Sequence, residues 1–382
     1  MTEIYLDSAA TSLHKPPQVA QAVAEAICKA GNAARGAHGA SLSALRTVYD
    51  TRCLAARLLG CPRPDHVVFA ANSTMALNIA ICGLLSPGDH AISTDLEHNS
   101  VLRPLYALQR QGMALSFVPA DKNGQVSYDA FERLFRPNTR AVVCTHASNV
   151  TGDVLDIPRI AAMAHRRGAL LILDASQTAG AIPLDMTALG ADVVCFTGHK
   201  SLLGPQGIGG FLVCDKMAHE MEPLFTGGTG SISDSEEQPD FLPDKFESGT
   251  MNIPAIYGLR RALQFLQETG IENIRAHELG LAEAFIREMD AIPGVRLAGT
   301  RDMTKRVAVV SLDFTGHDNA EVSFRLDSEY GISTRCGMHC APNAHKTLDT
   351  YPQGTVRFTF GYRNTMEDVQ YAVDAVKKII QA

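Results

Sequence analysis

Ala191-Asp192-Val193-Val194-Cys195-Phe196-Thr197-Gly198-His199-Lys200 runs directly into Ser201-Leu202-Leu203-Gly204-Pro205-Gln206-Gly207. An apolar run gives way to a polar cluster and then to glycine-rich chain. This reads as a buried strand whose carboxyl end delivers Thr197, His199 and Lys200 to a crevice. A lysine there is a candidate for a Schiff base, because desolvation lowers its pKa toward the neutral, nucleophilic form. A solvated loop lysine is the plain alternative. The stretch Ala169-Leu170-Leu171-Ile172-Leu173-Asp174-Ala175-Ser176-Gln177 argues against it. It is a second apolar run, it ends in a carboxylate, and it puts Asp174 on a strand end beside that of Lys200. A pyridine cofactor needs both groups, an amine to hold its aldehyde and an acid to keep its ring nitrogen protonated. Pyridoxal 5'-phosphate is therefore the expected cofactor.

Outward from these two strands a rhythm extends in both directions. Strands are expected at 67–70, 90–94, 114–118 and 141–145, with helices at 73–85, 101–111, 128–135 and 157–167 between them. A hairpin partner is expected at 207–214. Alternating strands and helices with near-continuous apolar strands imply a mainly parallel sheet covered on both faces. Two helices precede it, over 18–29 and 41–59. After Asp215 the rhythm stops. Residues 226–250 are rich in Gly, Ser, Asp, Glu and Pro, which suits a mobile loop. Helices at 253–270 and 274–289, strands at 307–314 and 356–360, and helices at 320–330 and 366–380 form a smaller α+β unit. The expected division is a large cofactor-binding domain, 16–250, and a small domain made of 1–15 plus 251–382.

The chain has 382 residues, 46% hydrophobic and 20% charged, an ordinary globular balance long enough for two domains. A net charge of -7 gives no reason to expect nucleic acid or an acidic membrane as partner. No run of about 18 apolar residues reads as a membrane span. The nine cysteines are too irregularly spaced for a disulfide framework and sit mostly among apolar neighbours, which fits a reducing compartment, the cytoplasm. The amino terminus lacks the basic region and apolar core of a secretory signal.

Several loops then carry chemistry. Asn72-Ser73-Thr74 follows a strand and opens a helix, where free amides and the positive dipole end favour phosphate; a simple N-cap is the alternative. His98, in Glu97-His98-Asn99, could stack on a pyridine ring and move protons; a surface histidine capping a helix is the alternative. Asn149 and Gln177 can each donate a hydrogen bond to a phenolic ring oxygen; plain loop polarity is the alternative. Arg335-Cys336-Gly337-Met338-His339-Cys340 sets a thiol among Arg335, His339 and glycine, the setting that lowers a cysteine pKa from its usual ~8.5. One rival reading is zinc on Cys336, His339, Cys340 and His345, but the spacing lacks a second Cys-x-x-Cys or a His pair, and no metal is expected; the other is a plain loop cysteine. Arg357, on an otherwise apolar strand, is a natural anchor for an amino-acid carboxylate; a buried ion pair with a protein acid is the alternative.

Taken in order, these residues resemble the class V aminotransferase fold family, in its cysteine desulfurase and selenocysteine lyase branch. The resemblance runs end to end: Tyr5-Leu-Asp-Ser-Ala-Ala10, Arg35-Gly-Ala-His38, Ser73-Thr74, Glu97-His98-Asn99, Asn149, Asp174-x-x-Gln177, Thr197-Gly-His-Lys200, Ser248-Gly-Thr-Met-Asn252, Arg335-x-Gly-x-x-Cys340 and Arg357. It implies the α/β architecture of fold-type I transferases, with a mainly parallel seven-stranded sheet. It implies that Lys200 holds the cofactor and shuttles the α-proton, and that His98 stacks on the ring. Asp174 would pair with the ring nitrogen and Gln177 with the phenolic oxygen. Ser73, Thr74, Thr197 and His199 would bind phosphate, and Thr250 would reach the phosphate of the neighbouring subunit in a homodimer. Arg357, aided by Asn149 and Arg335, would hold the substrate. Cys340 would attack the substrate sulfur, leaving a persulfide and alanine. A sulfur- or selenium-acceptor protein is the implied partner. Cys336 would resolve a persulfide or be a spectator. The competing expectations are a transaminase, epimerase or β-lyase of the same fold, and a sulfur-relay component acting mainly through partner binding. No strand–Gly-x-Gly-x-x-Gly–helix fingerprint for a nicotinamide cofactor occurs.

Overall fold

The computed structural model describes residues 3–33 and 36–381. Arg35, part of the Arg35-to-His38 stretch, lies outside the described residues. The apolar runs form one seven-stranded sheet, in spatial order Val67–Ala70, Gly209–Val213, Val193–Thr197, Leu170–Asp174, Thr139–Thr145, His90–Thr94 and Ala114–Val118. Gly209–Val213 pairs antiparallel with both its neighbours and the remaining pairings are parallel. Six strands therefore point one way and one is reversed. The expected hairpin partner is that reversed strand, wedged between the first strand and the Lys200 strand.

Successive residues of each strand face opposite sides. Phe69, Val142, Leu171 and Val194 point into one apolar core, while Val68, Val143, Ile172 and Val193 point into the other. Full burial on both faces is why these strands are continuously apolar rather than alternating. Gly210 is required where the reversed strand passes its neighbour, since a Cβ there would stand 2.1 Å from the Val68 carbonyl oxygen.

A second sheet, in order Arg335–Gly337, Thr355–Thr359, Val309–Phe314 and Val295–Ala298, is antiparallel. Its apolar face packs on helices Ile271–Asp290, Asn319–Tyr330 and Met366–Gln381. The amino-terminal strand Ile4–Tyr5 pairs in parallel with Ile332–Ser333. Helix Ile253–Thr269 does not join this unit: Ile256, Leu259, Leu263 and Leu266 enter the core of the large sheet, against helices Pro17–Lys29 and Gly39–Leu58. Sequence reading placed it with the small unit because it follows the long loop; its apolar stripe finds the larger core instead. The short strands Ile332–Ser333 and Arg335–Gly337 and the helix Pro342–Thr347 went unread.

The loop after Thr139–Thr145 ties the two units together. The Ser311 hydroxyl donates to the Val150 carbonyl at 2.6 Å, and Asp153 forms a β-bridge with Arg306. The guanidinium of Arg306, wholly buried, donates to the carbonyls of Thr151, Thr300 and Val309.

Candidate active site

Five polypeptide turns leave the carboxyl ends of parallel strands on one side of the sheet, where ligands of open α/β sheets bind. They carry Asn72–Thr74, His98, Asn149, Asp174–Gln177 and Thr197–Lys200. With Arg335, His339 and Arg357 from the second sheet and its loop, these residues line one cavity of about 220 Å³. The amino-terminal segment closes it with Ala9 and Ala10.

Lys200 is enclosed by this cavity, and its amine has no hydrogen-bond or ion-pair partner among the described residues. Burial pulls its pKa down to about 8, helped by Arg357 and Arg335 and opposed by Asp174 and Asp7. The backbone just before it is held hard. The His199 carbonyl accepts from the Ser12 amide and hydroxyl, both at 3.0 Å, and from the Thr11 hydroxyl at 3.2 Å. His199 itself pairs through Nδ1 with the Thr11 hydroxyl at 3.0 Å, and burial holds its ring neutral, pKa about 4.

Asp174 ends its strand, 3% exposed. Its Oδ1 accepts from the amide and hydroxyl of Ser176, and Oδ2 receives the Ser100 hydroxyl at 3.5 Å. The carboxylate is thus oriented from below. His98 caps helix Asn99–Arg110: its Nδ1 accepts the Ser100 amide at 3.0 Å. That bond fixes the proton on Nε2, and burial keeps the ring neutral, pKa about 4. Capping and cavity-lining are the same residue's two tasks, not alternatives.

At the start of helix Ser73–Leu84 the cap is Asn72, whose Oδ1 accepts the Met75 amide at 2.9 Å. The side chains of Ser73 and Thr74 are consequently free of capping. The Ser73 hydroxyl pairs with that of Ser176 at 2.8 Å, and Thr74 is exposed on the cavity wall. Gln177 donates to the Ala9 carbonyl at 3.3 Å, and Asn149 to the His339 carbonyl at 2.8 Å, so each has one donor already committed.

The residues fit the expected cofactor. An amine without a partner, an oriented buried carboxylate and the open amides of a helix start meet three different ends of pyridoxal phosphate in one cavity. Arg357 is buried, and it does meet a protein acid: Nη2 donates to Asp7 Oδ1 at 2.9 Å. Cys340 is exposed, one residue beyond His339 on the cavity wall. Both have left-handed backbone, φ 45° and 57°, and the Cys340 carbonyl accepts the Asn99 amide at 2.7 Å, next to His98. His339 is buried, with Nε2 against Thr355, and burial drives its pKa well below the usual histidine value. It therefore supplies no positive charge to the thiol. His345 is likewise turned to the Thr350 hydroxyl, and no metal-binding cluster of three occurs among the described residues. Thr250 is not on this cavity. It is exposed on a separate cleft with Leu45, Tyr49, Arg52 and Glu247.

Sequence reading gave no role to Asp7, Thr11, Ser12, Asn72, Ser100 or Ser176. The signal for Asp7 lay in the Tyr5-to-Ala10 stretch, which carried the resemblance without an assigned chemistry; Thr11 and Ser12 lie just beyond it.

The aminotransferase class-V family profile matches residues 4–372. A probable cysteine desulfurase of Mycolicibacterium paratuberculosis is 34% identical over 99% of this chain, and one of Methanothermobacter thermautotrophicus is 34% identical over 98% of it. The chain spans 55% of the first relative's length and 94% of the second's. The apo cysteine desulfurase of Thermococcus onnurineus superposes with a TM-score of 0.93 at 29% identity, covering 99% of this chain and 95% of that one. A cysteine desulfurase of Escherichia coli gives 0.89 at 30% identity with the same coverage. With the fold, the cavity and the profile agreeing from one end to the other, the chain belongs to the aminotransferase class-V family.

Proposed function

We propose that the protein is a pyridoxal-phosphate-dependent cysteine desulfurase, converting L-cysteine to L-alanine and leaving a persulfide on Cys340, with selenocysteine as a second substrate. The observation that carries this reading is the convergence of Lys200, Asp174, His98 and Arg357 on one cavity with the Cys340 thiol exposed beside it. The desulfurase relatives and structural neighbours support it.

When bound, pyridoxal phosphate supplies the electron sink for the substrate's Cα. The chain does the rest. Ser73, Thr74, Thr197 and His199 hold the phosphate end at the helix start. Asp174 keeps a proton on the ring nitrogen by its negative charge. Gln177 and Asn149 would orient the phenolic oxygen, and neutral His98 would stack on the ring. Arg357, with Asn149 and Arg335, grips the substrate carboxylate. Lys200, depressed to about 8, exchanges a proton near neutrality and moves it from and to the substrate carbon. The Cys340 thiolate attacks the substrate sulfur. The new S–S bond forms as the carbon–sulfur pair returns to carbon, which takes a proton and leaves as alanine.

A homodimer belongs to the proposal. Leu42, Leu45 and Tyr49 are exposed on one helix beside the Thr250 cleft, an apolar face suited to a second copy whose phosphate Thr250 would reach. So does a cytoplasmic setting, supported by nine free cysteines. A sulfur- or selenium-acceptor protein would collect the persulfide from the exposed loop. Incubation with cysteine and selenocysteine side by side, with a dithiol present to reduce the persulfide, tests the reading: alanine should appear in equal amount to released sulfide or selenide. No alanine from either would overturn it.

A further inference from the structure

Arg357 carries a counter-ion before any substrate arrives. Its Nη2 donates to Asp7 Oδ1, Nη1 donates to the Asn149 carbonyl at 3.1 Å, and Nε is buried without a partner. Asp7 is not on the cavity wall; it stands behind the guanidinium. Its backbone is bridged to Thr359, and its carbonyl accepts the Ala10 amide at 3.0 Å and the Tyr5 hydroxyl at 3.2 Å. Arg335 lies directly opposite Arg357 across the antiparallel ladder, and its guanidinium has no hydrogen-bond or ion-pair partner among the described residues. Like charges facing each other across a ladder repel. This corner of the cavity thus holds two guanidiniums and one carboxylate, and lacks one negative charge.

We propose that Asp7 is a positioning and specificity-determining residue: by holding Arg357 from behind and cancelling one of the two positive charges, it makes the corner select ligands with a single carboxylate. The proposal rests on Arg357 as the carboxylate anchor. A monocarboxylate brings the corner to balance. A second carboxylate meets a corner already neutral and is repelled by Asp7. Without the Asp7 charge both guanidiniums are open to the ligand, and dicarboxylates gain more than monocarboxylates.

Calorimetric titration of the holoenzyme with propionate and succinate tests this, because neither has an amine and both report on the carboxylate corner alone. The wild type binds propionate in preference to succinate; the opposite preference would overturn the proposal without any variant. Asp7→Asn binds propionate about tenfold tighter, the effect of one unit charge at this range in a partly solvated site, and gains more for succinate, so the preference narrows or reverses. Asp7→Glu restores the charge and the wild-type preference. A purely structural Asp7 would instead loosen Arg357 and weaken both ligands alike, and that result, or an unchanged preference in Asp7→Asn, sinks the idea. Asp7→Ser serves if the asparagine variant fails to fold. Arg357→Gln separates the two levels: it should abolish propionate binding, and wild-type binding there would remove the anchor itself, whatever Asp7 does.

Discussion

At Lys200 the chemistry is set by solvent. An amine at about 8 is mostly ammonium at pH 6 and mostly free base at pH 9. Loading of apo-protein with pyridoxal phosphate should therefore quicken about tenfold per pH unit below 8 and flatten above it, followed by absorbance; a flat profile would show that the amine is not the titrating group. Glu97 gives a second pH dependence. It is wholly buried, accepts from the Thr94 hydroxyl and the Thr145 amide, and burial raises its carboxyl from 4.5 to about 8. Between those values the unfolded chain has lost the proton and the folded chain keeps it, so this group's contribution to stability falls as pH rises. Glu97→Gln, always neutral, should gain on the wild type across that window by up to about 1.4 kcal/mol per pH unit, read from denaturant midpoints. Cys340→Ser should keep the cofactor absorbance and lose cysteine turnover. Full cysteine activity in that variant would move the nucleophile elsewhere.

The helix Ser73–Leu84 shows how an element shapes a site. Because Asn72 caps it, the first-turn side chains are released toward the cavity. Asn72→Ala should cost about 1 kcal/mol of stability and weaken retention of pyridoxal phosphate, measured by melting temperature and by dialysis against buffer; loss of neither would mean that water replaces the cap. Strand ends were legible in the sequence because each apolar run stops at its polar cluster, which is how Asp174, Thr197 and Lys200 were found. The Asp7–Arg357 pair was not legible. Its members come from opposite ends of the chain, and only the fold brings them within 2.9 Å. Arg335–Gly337 has three residues, too few to show a period. The left-handed turn at His339 and Cys340 has no glycine or asparagine to announce it.

Across the whole molecule, the cavity needs both sheets, and their junction is polar. Arg306→Met removes the guanidinium donor from three backbone carbonyls, two of them at buried contacts. It should cost about 3 kcal/mol and raise the substrate KM through the displaced 148–154 loop, seen as a lowered melting temperature with kcat less affected than KM. An unchanged KM would mean that the loop holds its place without the arginine. Helix Ile253–Thr269 packs in the large core, against the first two helices. Ile4–Tyr5 finds its strand partner only at Ile332–Ser333. During synthesis this segment must wait, unpaired, until Ile332–Ser333 has been made. A nascent chain stalled short of residue 332 would therefore carry Lys200 with its amino-terminal strand unpaired and Arg335, His339 and Arg357 still missing from the wall around it.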